Sequence, residues 1–243
     1  MNREEQKQTI KDYLKRLGAG EELESVRVDF VKKFQSVDAA EIMNAEQELI
    51  KEGTPISEVQ RLCDVHSALF HGKTREEQIA NAPKATVDSI REQRFAKTAE
   101  LVKIPGHPLH TFTLENEALA KTIEKCREAL KNGHVEYKLI EEVRQLAIHY
   151  AKKGDLLYPH LKVKYEISGP SDVMWTVDDE IRDEFAALAK KADSQDDEWK
   201  KRFEAALTRA DEMIYKEANI LFPNCAFNFT DEEWFGIYRD SKD

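Results

Sequence analysis

Two carboxylates stand where this chain otherwise places apolar side chains. The positions Phe203, Ala206, Ala210, Met213, Glu217 and Ile220 recur in steps of three and four, the spacing of one inward face of a helix. Met174, Asp178, Ile181, Phe185, Leu188 and Ala192 repeat the pattern. Glu217 interrupts the first seam and Asp178 the second. An ionised carboxylate inside an apolar seam is costly unless it is paired, protonated or bound to a cation. These two residues therefore call for a partner, either a metal ion or a basic side chain.

Both kinds of partner are suggested upstream. The stretch from His149 to Pro159 aligns without gaps on Met213 to Pro223, and both end in two hydrophobic residues, an aromatic residue and a proline. In this alignment His149 matches Met213 and Lys153 matches Glu217. A His and a Glu four residues apart share one helical face and can hold a metal together. Each segment here retains half of such a pair. One reading brings His149, Asp178 and Glu217 around a metal, with His110 or Glu115 completing the set; imidazole plus carboxylate suits iron, manganese or zinc. The other makes Lys153 the neutralising partner of Glu217 or Asp178 in a buried ion pair.

The elements that must position these groups are helices. With 9 Gly and 7 Pro in 243 residues, the chain has few turn signals for its length. A first long helix is expected from Pro108, a favoured first-turn residue, to Gly133, with Leu109, Phe112, Asn116, Leu119, Ile123, Cys126 and Leu130 inward. A second runs from about Val135 to Leu157, with Leu139, Val143, Leu146, Tyr150 and Leu157 inward and His149 at the flank. Ser168-Gly-Pro170 links to the third helix. An acidic turn, Asp193 to Asp197, precedes the fourth, and Thr230 with Glu233 reads as a capping box for a short last helix. Two hairpins of this kind make a four-helix bundle over 107–223, followed by a C-terminal short helix and tail at 224–243.

The first 85 residues read as a separate helical domain. Helices are expected over 2–17 and 21–35. Asp38 with Glu41 caps a third helix to Lys51, and Ser57 with Gln60 caps a fourth from Val59 to about Phe70. Cys63 and His66 share a face of that fourth helix, with His71 just beyond; the spacing admits a metal, and a buried thiol beside a hydrogen-bonded histidine is the plainer reading. A connecting segment at 86–106, punctuated by Pro83 and by Pro105-Gly106, leads to the bundle. The fold class is all-α.

Composition narrows the function. A net charge of −10 argues against nucleic acid as a partner, because phosphate binding needs a basic face. There is no apolar run long enough for a membrane span and no secretory leader at Met1, and three scattered cysteines without a CxxC suit a reducing cytoplasm. No Gly-rich phosphate loop and no nucleophile beside a plausible base occurs, which points away from an enzyme.

At this level of detail the sequence resembles a known family. Gly-His-Pro-Leu-His (106–110), Glu-Asn-Glu-Ala-Leu (115–119), His149 to Pro159, Met-Trp-x-x-Asp-Asp-Glu-Ile-Arg (174–182) and Lys-Glu-x-x-Ile-Leu-Phe-Pro (216–223) are similar to a hemerythrin-like, HHE-type cation-binding bundle. Residues 48–55 with 58–66 resemble an uncharacterised helical domain that commonly precedes such bundles in bacteria. The resemblance implies an up-down four-helix bundle and a metal-binding sensor or carrier. Such a protein would respond to oxygen, nitric oxide, iron or redox state. It also implies iron, as a di-iron pair or singly, or else zinc or manganese, with His110 a ligand beside His149, Asp178 and Glu217, and His107 and Glu115 as further candidates. On a regular helix from Leu109, however, His110 lies roughly 150° from the seam. Met213, Lys153 and Gly154 also depart from the family pattern. These departures weaken the metal reading and leave an alternative beside it: an apo bundle serving as an interaction or regulatory module, with a protein partner bound through the N-terminal domain.

Overall fold

The computed structural model describes residues 3–34, 48–55, 59, 89–167 and 169–241. It divides into two compact units, residues 1–92 with 168–173, and 93–167 with 174–243. In the first unit, α1 (Arg3–Gly18) and α2 (Leu23–Phe34) form a hairpin. Gly20 takes φ 87°, a left-handed conformation that glycine adopts without steric cost, and so turns the chain between them. Ile10, Leu14, Leu17, Val26 and Phe30 are buried there, and Tyr13 meets Phe30 edge-on at 5.3 Å. Lys7 reaches Glu48 and Glu52 of the helical turn that ends at Gly53. The capping pairs at Asp38 and Ser57, most of the fourth predicted helix with Cys63, His66 and His71, and the break at Pro83 lie outside the described residues.

The second unit begins within α3 (Ser89–Val102), at Gln93, and continues into α4 (Pro108–Lys131). His107 caps α4 in an extended conformation, its ring accepting from the Leu109 amide at 3.1 Å, and Pro108 occupies the first turn. The predicted seam is observed: Leu109, Phe112, Asn116, Ile123 and Cys126 are buried, and Leu119 and Leu130 pack at its edge.

The second predicted helix is not continuous. It divides into α5 (Tyr137–Val143) and α6 (Leu146–Leu156). At the junction Gln145, Ala147 and Ile148 bond three residues back, to Glu142, Arg144 and Gln145. This is a tightened 3₁₀-like turn, which step counting along the sequence does not register. After Pro159 the chain widens into a π-helical turn, His160–Lys164.

Next come α7 (Gly169–Ala189) and α8 (Asp197–Lys216), the latter capped by Asp196, whose carboxylate accepts from the Trp199 amide at 2.8 Å. A second π-helical turn, Glu217–Leu221, passes into α9 (Phe222–Asn228). The last helix, α10 (Asp231–Asp240), opens with the predicted Thr230–Glu233 capping box.

The half of the bundle nearest the α7–α8 connection is apolar. Phe203 meets Phe185 edge-on at 5.6 Å and stacks on Trp199 at 4.7 Å, while the Trp199 indole donates to the Leu188 carbonyl at 2.9 Å. Truncating Phe203 to Ala costs about 3–5 kcal/mol on the usual scale for a buried aromatic ring. Gln195 ties two connections together: its amide accepts from Val135 N at 2.9 Å and donates to Val135 O at 2.7 Å. Among the described residues no helix is long and apolar enough to cross a membrane.

Candidate functional site

The seam carboxylates of α7 and of the α8 end meet a lysine from α6. Lys153 is fully buried, and its Nζ donates to Asp178 Oδ1 at 2.8 Å and to Glu217 Oε1. The face of Tyr150 lies 4.3 Å from the same nitrogen and that of Tyr158 6.0 Å away, so π-electron density covers sides the carboxylates leave open. Tyr158 donates its hydroxyl to Asp178 Oδ2 at 3.0 Å.

Glu217 opens the π-helical turn and is itself fully buried. Its second oxygen accepts from Asn116 Nδ2 and from His149 Nε2, each at 2.8 Å. The other ring nitrogen of His149 lies 2.8 Å from Glu115 Oε2, and Glu115 Oε1 accepts from Lys152 at 2.5 Å. The network thus runs from a sealed centre at Lys153, through Glu217 and His149, to a partly exposed end at Glu115 and Lys152.

The charges balance in a definite order. Burial lowers the affinity of His149 for a proton, but Glu217 and Glu115 outweigh this and raise its pKa to about 9. At neutral pH it is an imidazolium that donates from both nitrogens. Burial pushes Glu217 upward, and the Lys153 and His149 cations more than reverse that, holding it at about 2. Asp178 shares Lys153 yet moves the other way, to about 6, because burial and the neighbouring Glu217 charge exceed the attraction of a single cation. Three cations, Lys152, Lys153 and His149, then face three anions, Glu115, Asp178 and Glu217.

His149, Asp178 and Glu217 therefore belong to one network, as their seam positions require, and Glu115 joins it. His110 does not: its Nδ1 lies 2.7 Å from the Val102 carbonyl, on the side of α4 that the helical rotation gives it. His107 is spent as the cap of α4, its ring 4.7 Å from Trp234. Tyr158 and Lys152 were not anticipated. Tyr158 is the aromatic residue of the repeated helix ending, where its partner in the alignment is Phe222; a hydroxyl at one of two matched core positions was the available signal. Asn116 offered a clearer one, a polar residue inside an apolar seam.

Residues 107–225 match the hemerythrin HHE cation binding domain. The likeness spans the bundle. Residues 10–76 match a family of unknown function (DUF438), in the order the sequence motifs imply. No curated protein and no solved structure matches the chain.

The hemerythrin HHE family implies a bound cation, and the donors present fit a metal ion poorly. Among the described residues no group of three or more His, Cys, Asp and Glu side chains is disposed to hold one. The space between Asp178 and Glu217 is taken by the Lys153 ammonium, and both nitrogens of His149 are engaged by carboxylates. One feature is left over: Asn116 Oδ1 is buried and has no partner.

Proposed function

We propose that this hemerythrin HHE bundle works without a metal, as a helical interaction or regulatory module whose central cation is Lys153. The observation behind this reading is a fully buried ammonium within hydrogen-bonding reach of both seam carboxylates. A dication placed between Asp178 and Glu217 would meet that ammonium at close range and in a poorly screened interior, where like charges repel strongly. Lys153 meets the need for charge that a metal would otherwise meet, and it is covalently attached. The reading gives the protein-binding role to the N-terminal unit. The test is the metal content of protein purified without an affinity tag, with its thermal midpoint measured with and without a chelator. Metal well below one ion per chain and an unmoved midpoint are expected. A stoichiometric metal whose removal lowers the midpoint would overturn the reading, since bound metal stabilises the folded state.

A second reading, a metal-binding sensor or carrier responding to oxygen, nitric oxide, iron or redox state, is favoured by the family's cation-binding description and by the unpartnered oxygen of Asn116. It requires Lys153 to leave the space between Asp178 and Glu217. Those two carboxylates and His149 would then be the ligands, with iron the expected metal and manganese or zinc alternatives; recruiting His110 would mean giving up its contact with Val102. A visible absorption band from an oxo-bridged iron pair in the purified protein would distinguish it.

A further inference from the structure

We infer that the outer groove between α4 and α6 is a docking strip for an acidic amphipathic helix. This places a protein-binding surface on the bundle itself, beyond the metal-free reading and independent of it.

Helix rotation locates the strip. Glu115 of α4 meets His149 and Lys152 of α6, so these residues mark the line along which the two helices face each other. The contact of Cys126 with the Leu139 carbonyl, further along the same hairpin, shows that its arms run antiparallel. Leu114 and Ile148 each precede a facing residue by one position, a rotation of about 100°. In an antiparallel pair the same backward step turns both side chains to one side of the seam. The core lies on the other side, where Asn116 and Tyr150 each follow a facing residue and are buried. Leu114 is accordingly 50% exposed and Ile148 57%. Exposed Ala118 extends this apolar floor by one turn of α4.

The rim charges select the occupant. On a regular helix Lys121 and Lys125 lie within about 40° of Leu114. Both are exposed and neither has an ion-pair partner among the described residues. Glu117 and Glu124 of α4 point roughly 160–180° away from the facing line. On the α6 side stands Lys152, which already holds Glu115, and beyond it the one exposed acid of this rim, Asp155. In a chain of net charge −10, this strip is edged mainly by lysine. An apolar floor with a basic rim fits a helix that carries leucine-like side chains on one face and carboxylates along its flanks. From Leu114 to Lys125 the floor and rim extend roughly 17 Å, about three turns of a partner helix. A helix seated there also covers the Glu115–Lys152 pair, the partly exposed end of the buried network.

The test uses a fluorescein-labelled, stapled helical peptide of about 16 residues, with leucine at i, i+3, i+4 and i+7 and glutamate on both flanks. A second peptide has lysine in place of every glutamate. Anisotropy titrations compare wild type with Leu114→Glu, Ile148→Glu and the double variant Lys121→Glu/Lys125→Glu. Wild type is expected to bind the acidic peptide at least about tenfold more tightly than the basic one, and each single variant to weaken that binding by about tenfold or more. The double variant should reverse the preference between the peptides. Thermal midpoints should stay at the wild-type value, because the altered side chains are exposed. No binding of the acidic peptide, equal binding of the basic one, or binding indifferent to Leu114→Glu and Ile148→Glu would overturn the inference. So would sedimentation showing that wild type self-associates and that Ile148→Glu returns it to a monomer, since the strip would then be taken by a second copy. None of these failures alters the metal content on which the metal-free reading depends.

Discussion

Two stretches of this bundle share a pattern and do opposite things with it. Residues 149–159 and 213–223 align throughout and end alike. In the first, Lys153 sits in regular α6 and the π-helical turn comes after Pro159. In the second, Glu217 opens a π-helical turn that lies before Pro223. The matched residues carry opposite charges and touch each other. Four residues earlier, His149 is an imidazolium between two carboxylates, while Met213 is buried among apolar neighbours. Tyr158 bonds Asp178, while its counterpart Phe222 packs against Phe112 at 5.9 Å. The shared pattern specifies where helices end and which side faces inward. What the two stretches themselves bring to the sealed centre (His149, Lys153, Tyr158 and Glu217) falls at positions where they differ, and Asp178 of α7 completes it.

The most damaging way to erase that difference is Lys153→Met, which leaves Asp178 and Glu217 buried without their common cation. A loss of about 3–5 kcal/mol in denaturant unfolding is expected. Adding Glu217→Gln should return part of it, because the remaining charge is then smaller. An unchanged midpoint for Lys153→Met would mean that the lysine is not what balances the two stretches.

The second test uses pH, to which the His149 stretch responds and the Met213 position does not. His149 titrates near 9 in the folded protein and near 6.5 when unfolded. A raised value means that its stabilisation is fully present below about 6.5 and is lost as pH climbs through 9. The loss is on the order of 3 kcal/mol. Glu217 works in the opposite direction. With its folded value held at about 2, its contribution is present above the ordinary glutamate range and disappears as pH falls through that value. Unfolding curves between pH 6 and 10 for wild type and His149→Gln check this, and parallel curves would count against a paired imidazolium.

Tyr158→Phe makes the two helix endings more alike. It removes the bond to Asp178 and leaves a buried acceptor short of a donor, for a loss of about 1–2 kcal/mol in the same assay. Lys152→Ala acts at the partly exposed end and should cost at most about 0.5 kcal/mol, diminishing further in high salt. A larger effect there would show that the network depends on its outer end as much as on its centre.

Much of this was legible in the sequence. Asp178 and Glu217 declared themselves as polar residues at seam positions, and the gapless alignment placed Lys153 opposite Glu217. Helix starts were readable where a cap or a proline marks them, at Pro108 and Thr230. The π-helical turns were not, because a widening of one turn leaves the spacing of apolar residues on either side intact. The break between α5 and α6 escaped for a similar reason: a few tightened bonds change the register by less than the step pattern resolves. Lys152 looked like an ordinary solvated charge, since only the approach of α6 to α4 reveals that it faces Glu115. His110 was open to two readings, and the rotation of a regular helix agrees with its position facing Val102.

The double bond between Gln195 and Val135 has a consequence for how the bundle breathes. Val135 lies in the connection before α5 and Gln195, at φ 36°, in the one between α7 and α8, so a single side-chain amide imitates a two-bond strand pairing across two loops. Loop amides normally exchange with deuterium quickly because they face water. The Val135 amide is buried and bonded, so it should exchange at the pace of neighbouring helix interiors. Neither hairpin can then loosen at that end without releasing the other, and the two should open as one cooperative unit rather than fraying separately.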